Sequence, residues 1–528
     1  MKSRLSYFLI SGIIILSIFT ISFIWHTNNL KQIPAFNKNP YIAPISSKYI
    51  PINSDIIIHW KINPTLLPKY VEHYQDQVNK HITNNKTRFI RDSSFKLISL
   101  DFVNDISNWV GDYGSFALLN TNKQIPNDWI MIMGIKDNVN IEEELASISD
   151  SKNLDRNLKS INSLGIPSTE ILSKKINSNH SIYFAKNKDN VLISSNPKII
   201  KSAILESNSN TLSTKEKYKY IKIKDNLYDG FILFEMSPSK LLNKIDQKEK
   251  VLSLNDVSNL ISSVNIDKNK LSLDGILSFN FKSEMPAKSY DYNYIDIMKE
   301  YKSAEDLILV DNPNQYFIKE PNHPYKNLVA SLIQESTTSD NSNLFRIILE
   351  KSKGNLLWLN DKDWLILTSK ADTSKKEISD ILKHENFSSS ILDFKNRELE
   401  VWSKISTDEN EKYKIKENIE AIIYEDQKNY LWSQNLSSIS NFDNTNYLND
   451  YSDSEKNIGQ DNDFEDILRI HLGEERTKAF LNNFYPYILF RTMLGNKLTS
   501  PRNIDISISV PKINYPDFIK FKINLKTS

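Results

Sequence analysis

Residues 128–137 read DWIMIMGIKD, and residues 363–372 read DWLILTSKAD. Each is an Asp-Trp pair leading into a short apolar run closed by a turn residue. Such runs, bounded by polar punctuation, mark strands. Their flanks match too. Upstream, Asp55-Ile56-Ile57-Ile58 with Asn63-Pro64 parallels Asp306-Leu307-Ile308-Leu309 with Asn312-Pro313. Downstream, the hairpin IYFAKNKDNVLISSN ending at Asn196 parallels IIYEDQKNYLWSQN ending at Asn435. FILF from Phe231 is then set against YILF from Tyr487, and the alternating LSLDGILSFNF from Leu271 against FIKFKINLK from Phe518. Short matches in one order, about 250 residues apart, predict a duplicated unit.

Within the first copy, strand patterns cover 55–60, 115–119, 129–135, 181–186, 190–194, 230–235 and 271–281. Helical patterns cover Leu66 to Arg91, Ile141 to Ser149 and Pro197 to Leu205, the last with Pro in its first turn. Strand runs with interspersed helices, without strict alternation, predict an α+β class: two repeated β-rich α+β units with largely antiparallel sheets. The expected limits are 52–283 for the first unit, 284–303 for a junction and 304–528 for the second. An acidic insertion at 443–466 reads as a solvated loop. A unit near 230 residues can fill its own core, so two separate cores are expected. Trp129 and Trp364 should then lie at matching depths.

Ahead of the units, Tyr7 to Trp25 (YFLISGIIILSIFTISFIW) is a run of nineteen residues without a charge. As a helix it spans about 30 Å, the thickness of a bilayer's hydrocarbon core. Lys2 and Arg4 precede it, and Tyr7 and Trp25 stand where interfacial aromatics belong. Residues 1–26 are therefore expected to be a cytoplasmic N-terminus and transmembrane helix, with everything after His26 extracytoplasmic. The run exceeds a signal peptide's usual apolar core, and no small-x-small site follows Trp25, which favours an uncleaved anchor. Residues 27–51, with Pro34, Pro40, Pro44 and Pro51, read as an extended stalk.

Composition narrows the chemistry. The net charge of +1, from 66 basic and 65 acidic residues, gives no reason to expect nucleic acid as a partner. The absence of cysteine rules out disulfides, thiolate nucleophiles and Cys-ligated metals. Eleven glycines leave little for phosphate-cradling loops, and no HExxH, GxSxG, GxxxxGKS/T or GxGxxG string occurs. His73 and His81 stand eight apart on a helical pattern with His59 nearby, but lack the spacing of metal ligands. The insertion 443–466 lacks the order of an EF-hand. We therefore assign no catalytic, cofactor-binding or metal-binding residue.

Trp109-Val110-Gly111-Asp112, the strand after Asp128, Ile193-Ser194-Ser195-Asn196 after a hairpin, and the duplicated layout carry a family resemblance. The chain resembles a cyanobacterial family of single-anchor membrane proteins, the domain of unknown function 3352. The second copy departs from the pattern, with Gly354-Asn355-Leu356 in place of the Trp-x-Gly site. The resemblance implies a plasma or thylakoid membrane location and transfers no activity. The expected function is a non-enzymatic scaffold or assembly factor for other envelope or thylakoid proteins. The alternatives are a small-molecule or lipid-binding protein with a cleft between the units, or an unrecognised hydrolase.

Overall fold

The computed structural model describes residues 44–66 save 52, 80–119 save 98 and 99, 128–150, 171–208 save 178 and 179, and 232–236. It further describes 257–279 save 268 and 269, 306–317, scattered positions between 326 and 333, most of 343–439, 464–483, 501–511 and 518–527. The expected anchor at Tyr7–Trp25, the junction 284–303 and the acidic stretch 443–463 lie outside these residues.

Nineteen strands are described, and all belong to one sheet. In the first half they are β1 (Ser54–Trp60), β2 (Val110–Leu119), β3 (Asp128–Ile135), β4 (Ile171–Asn177), β5 (His180–Asn187), β6 (Asn190–Ser194), β7 (Ile232–Met236), β8 (Val257–Asp267) and β9 (Lys270–Phe279). The second half supplies β10 (Asp306–Val310), β11 (Leu356–Asn360), β12 (Trp364–Ser369), β13 (Phe387–Asp393), β14 (Glu398–Asp408) and β15 (Lys414–Glu425). It ends with β16 (Asn429–Ser433), β17 (Phe464–Leu472), β18 (Pro501–Pro511) and β19 (Phe518–Thr527). Every pairing is antiparallel. Across the sheet the order is β4-β5-β6-β3-β2-β1-β7-β8-β9, then β19-β18-β17-β10-β11-β12-β16-β15-β14-β13. From the seam outward, the second half repeats the order of the first and adds β13 at its outer edge.

The α+β expectation of two separate units is thus corrected: the described chain is mostly one continuous antiparallel sheet with few helices. The cause lies in the closing strands. LSLDGILSFNF and FIKFKINLK alternate cleanly and would each leave a long open edge of unpaired N–H and C=O groups. They satisfy each other instead, with Phe518 opposite Ser278 through Lys526 opposite Lys270. The cores merge as well, for Phe279 of β9 packs in the main cluster of the second half beside Phe521 and Ile519. Gly275 sits directly opposite Phe521. A Cβ there would come within 2.1 Å of the ring, so the seam accepts the aromatic only because position 275 has no side chain.

Seven α-helices are described: α1 (Lys80–Leu97), α2 (Ile141–Asp150), α3 (Pro197–Asn208), α4 (Asn314–Phe317), α5 (Asn343–Lys351), α6 (Lys375–His384) and α7 (Glu474–Asn483). None is long and apolar enough to cross a membrane. Residues from α1, α2, α5, α6 and α7 cover one face of the sheet, burying Trp109, Trp129, Trp358, Trp402 and Trp432. The opposite face of the first half is covered by α3 and by a 3-10 turn, Ile45–Tyr49. Residues 45–50, expected to belong to an extended stalk, are therefore packed: Ser46, Tyr49 and Ile50 are buried.

Two finer expectations change. Rows of paired residues run Ile56–Leu118–Trp129 in the first half and Asp306–Asn360–Trp364 in the second. Asp306 thus occupies the place of Ile56, not of Asp55. An irregularity between Ser54 and Ile56 consumes one residue, and a one-residue slip exchanges the faces of a strand. The match of FILF to YILF also fails. The place of β7 in the second half is taken by β17, which begins at Phe464 inside the stretch expected to be an acidic loop. Trp364 opens β12 and Trp129 is the second residue of β3, but the side chain of Trp364 lies outside the described ones.

Candidate functional site

On the face covered by the turn Ile45–Tyr49, β1 and β2 bring His59 opposite Ser115. His59 Nδ1 and Ser115 Oγ are 2.6 Å apart and share a hydrogen bond. Ser115 Oγ shares a second with Ser46 Oγ at 2.7 Å, so the turn Ile45–Tyr49 is tied to the sheet through a buried polar chain. Tyr49 adds a bond from its hydroxyl to Asn187 Oδ1 at 3.0 Å. Burial pushes the Tyr49 phenol above its ordinary value, so it stays a neutral donor.

A serine hydroxyl against an imidazole is the starting geometry of nucleophilic catalysis. Here all three residues are almost wholly buried, with the hydroxyl held between Ser46 and the ring. A substrate carbonyl could not approach Ser115 without removing the turn. The cluster works as a pin for the chain entering the sheet.

Near the seam the same face is polar and half-exposed. His471 Nδ1 lies 2.6 Å from Asp505 Oδ1, Arg469 Nε donates to Asp466 Oδ2 at 2.6 Å, and Ser509 donates to Asp466 Oδ1. Ser272 Oγ donates across the seam to Asn524 Oδ1 at 2.9 Å. These pairs run within β17 and between adjacent strands. On the helical face, the buried Asp306 accepts the Gly473 N–H at 2.9 Å, which caps the start of α7. It also pairs with Arg476 at 2.7 Å, whose guanidinium lies over the Trp358 ring. Sequence reasoning noticed Asp306 only as the start of a repeat, and it named no role for Ser115.

His73 lies outside the described residues, as does the side chain of His81, and His59 is committed to Ser115. Among the described residues no group of three His, Asp or Glu could hold a metal.

The feature without an internal purpose is at the far end of the sheet. Ile391 (75% exposed), Ile405 (62%), Ile419 (48%) and Leu392 (39%) stand on three consecutive strands, β13, β14 and β15. Ile405 and Ile419 flank Ser403 on one face, continuing the buried Leu399 and Val401 into solvent.

A family model described as "Protein of unknown function (DUF3352)" matches residues 8–527. The chain belongs to that family. Its span takes in both halves of the sheet. No curated protein and no solved structure matches the chain.

Proposed function

We propose that this member of the family is a membrane-anchored, extracytoplasmic scaffold or assembly factor without enzymatic activity. The carrying observation is the pair Ile405 and Ile419, diagonal neighbours on β14 and β15 that carry the buried face of Leu399 and Val401 into solvent at one end of an otherwise well-covered sheet. Isolated exposed apolar residues are ordinary, whereas contiguous ones that extend a buried apolar row into solvent mark a protein-binding surface. The occupants are other proteins of the same membrane that present an apolar face. The charge-free run Tyr7–Trp25 behind Lys2 and Arg4 supports attachment, with residues beyond His26 in the periplasm or lumen. The resemblance stated above supports a cyanobacterial plasma or thylakoid membrane. The pinned turn at 45–49 supports the same picture, giving such a tether a fixed point of entry into the sheet. The shared strand order supports reading 52–283 and 304–528 as copies of one unit.

A binding cleft between the units has less support, because the seam is a hydrogen-bonded strand pair. The hydrolase reading has less still, given the burial of Ser115. The test is a photo-crosslinking residue at Ile405 or Ile419 in living cells. Capture of a membrane protein at both positions, and not at the exposed Phe89, is expected. Equal or absent capture at all three would overturn the scaffold reading.

A further inference from the structure

We propose that two copies of this chain join edge to edge, β13 pairing antiparallel with β13 of a second copy about a twofold axis at Ser390. The inference rests on the scaffold reading and names the first partner of that end of the sheet. β13 is bonded to β14 on one side, and among the described residues no strand pairs its other side. Its six residues after Phe387 are all exposed. Natural sheets guard such an edge with Lys, Pro or a bulge. The strand β4 at the opposite end reads ILSKKIN and carries Lys174 and Lys175. The strand β13 reads FSSSILD, without Lys or Pro, and runs along β14 in unbroken register.

The residues of β13 fit their own reversed order. A twofold at Ser390 sets Ser389 opposite the partner's Ile391, and Ser388 opposite the partner's Leu392. Small hydroxyls therefore meet large apolar side chains, and the exposed Ile391 gains cover without a clash. At the ends Phe387 meets the partner's Asp393. Lys404 Nζ already stands 4.9 Å from the centroid of the Phe387 ring, beside the incoming carboxylate, and the twofold provides that charge match twice. An arbitrary strand would gain the backbone bonds alone, so the side-chain fit points to a second copy. The chain already grows its sheet this way once, at β9 and β19. A seven-residue strand pair is a small interface, suited to molecules concentrated on one membrane surface.

The chain has no cysteine, so one introduced thiol reports one contact. Full-length Ser390→Cys, in its native membrane, should give a covalent dimer on mild oxidation, of twice the 61.2 kDa chain mass on a non-reducing gel. Adding Ile391→Lys should abolish it. Ser388→Cys, two residues off the axis, should crosslink about tenfold more slowly, since its opposite neighbour is Leu392 and disulfides need Cα atoms within ~7 Å. A Ser390→Cys chain that stays monomeric while its thiol remains reactive overturns the inference, and so does Ser388→Cys crosslinking equally fast. If photo-crosslinking at Ile405 still captures another membrane protein in that case, self-pairing fails and the scaffold reading stands. If it captures nothing, both fall.

Discussion

The two halves of the sheet share a strand order but not a chemistry. At one row of the face opposite the tryptophans the first half places His59, Ser115 and Ile132, where the second places Leu309, Leu357 and Leu367. The polar pair stands where a turn bearing Ser46 is tied down, and leucines stand in its place in the other half. Ion pairs invert in the same way. In the first half Glu142 of α2 meets Lys186 of β5 at 2.8 Å. The second half has Lys375 of α6 between Glu400, at 2.8 Å, and Glu425 of β15. Lys186 and Glu425 hold equivalent places, opposite Val191 and Tyr430 on the neighbouring hairpin strand. A strand order that survives exchange of charge sign is held by apolar alternation and backbone pairing, with the polar contacts adapted to each half.

The largest effect expected from breaking this comparison is in the cores. Trp109 and Trp402 are fully buried, one in each half. Replacing either by alanine should cost about 3–5 kcal/mol, read by denaturant unfolding. Because the halves share one sheet, either variant should shift a single transition. Two separated transitions would restore the picture of independent units. Next in size is Gly275→Ala, which drives a Cβ into Phe521 and should cost about 1–3 kcal/mol. Phe521→Leu in the same chain should recover part of that loss.

These expectations show how much the sequence carried. DWIMIMGI and NVLIS sit where periodicity placed strands, and Pro197 starts α3 as its fixed φ favours. The seam was not legible, because whether two alternating edges pair with each other is a choice made over some 250 residues, as between Ser272 and Asn524. The Asp55 register was misread because a bulge leaves no mark in a run of isoleucines. β13 escaped notice because FSSSILD has neither alternation nor an apolar run. The pin was hidden differently: Ser46 sits among prolines that suggest a stalk, and its partner Ser115 is 69 positions away.

Ser115→Ala sharpens the first contrast. It removes the hydroxyl between Ser46 and His59 and should cost about 1–3 kcal/mol, together with faster proteolysis around residues 44–50. The corresponding change in the second half, Leu357→Val, should leave that segment's protection untouched.

The smallest effect concerns the inverted charges. Lys370, then Lys375, hold the Glu425 carboxyl below its ordinary value, and Glu400 with Glu425 hold the Lys375 ammonium above its own despite the opposing effect of burial. A depressed carboxylate contributes stability above its unfolded value that is lost as pH falls through the folded one. A raised ammonium contributes below its unfolded value and loses this as pH rises through the folded one. The network should therefore hold between the acid and strongly alkaline limits. Lys375→Met should cost about 1 kcal/mol or less at neutral pH and nothing in strong acid, by thermal melts across pH. Glu142→Gln on the exposed pair should leave the melting temperature unchanged.

The claim on which the rest stands is that β9 and β19 make one sheet of the two halves. Ser272 and Asn524 lie directly opposite each other across that seam, and the chain carries no other thiol to confuse the result. The double variant Ser272→Cys/Asn524→Cys, oxidised in the folded full-length protein, measures the pairing directly. The account predicts a disulfide formed within one chain, seen as faster migration without reductant and a raised melting temperature. Two thiols that stay unlinked in the folded protein, both open to alkylation, would contradict it.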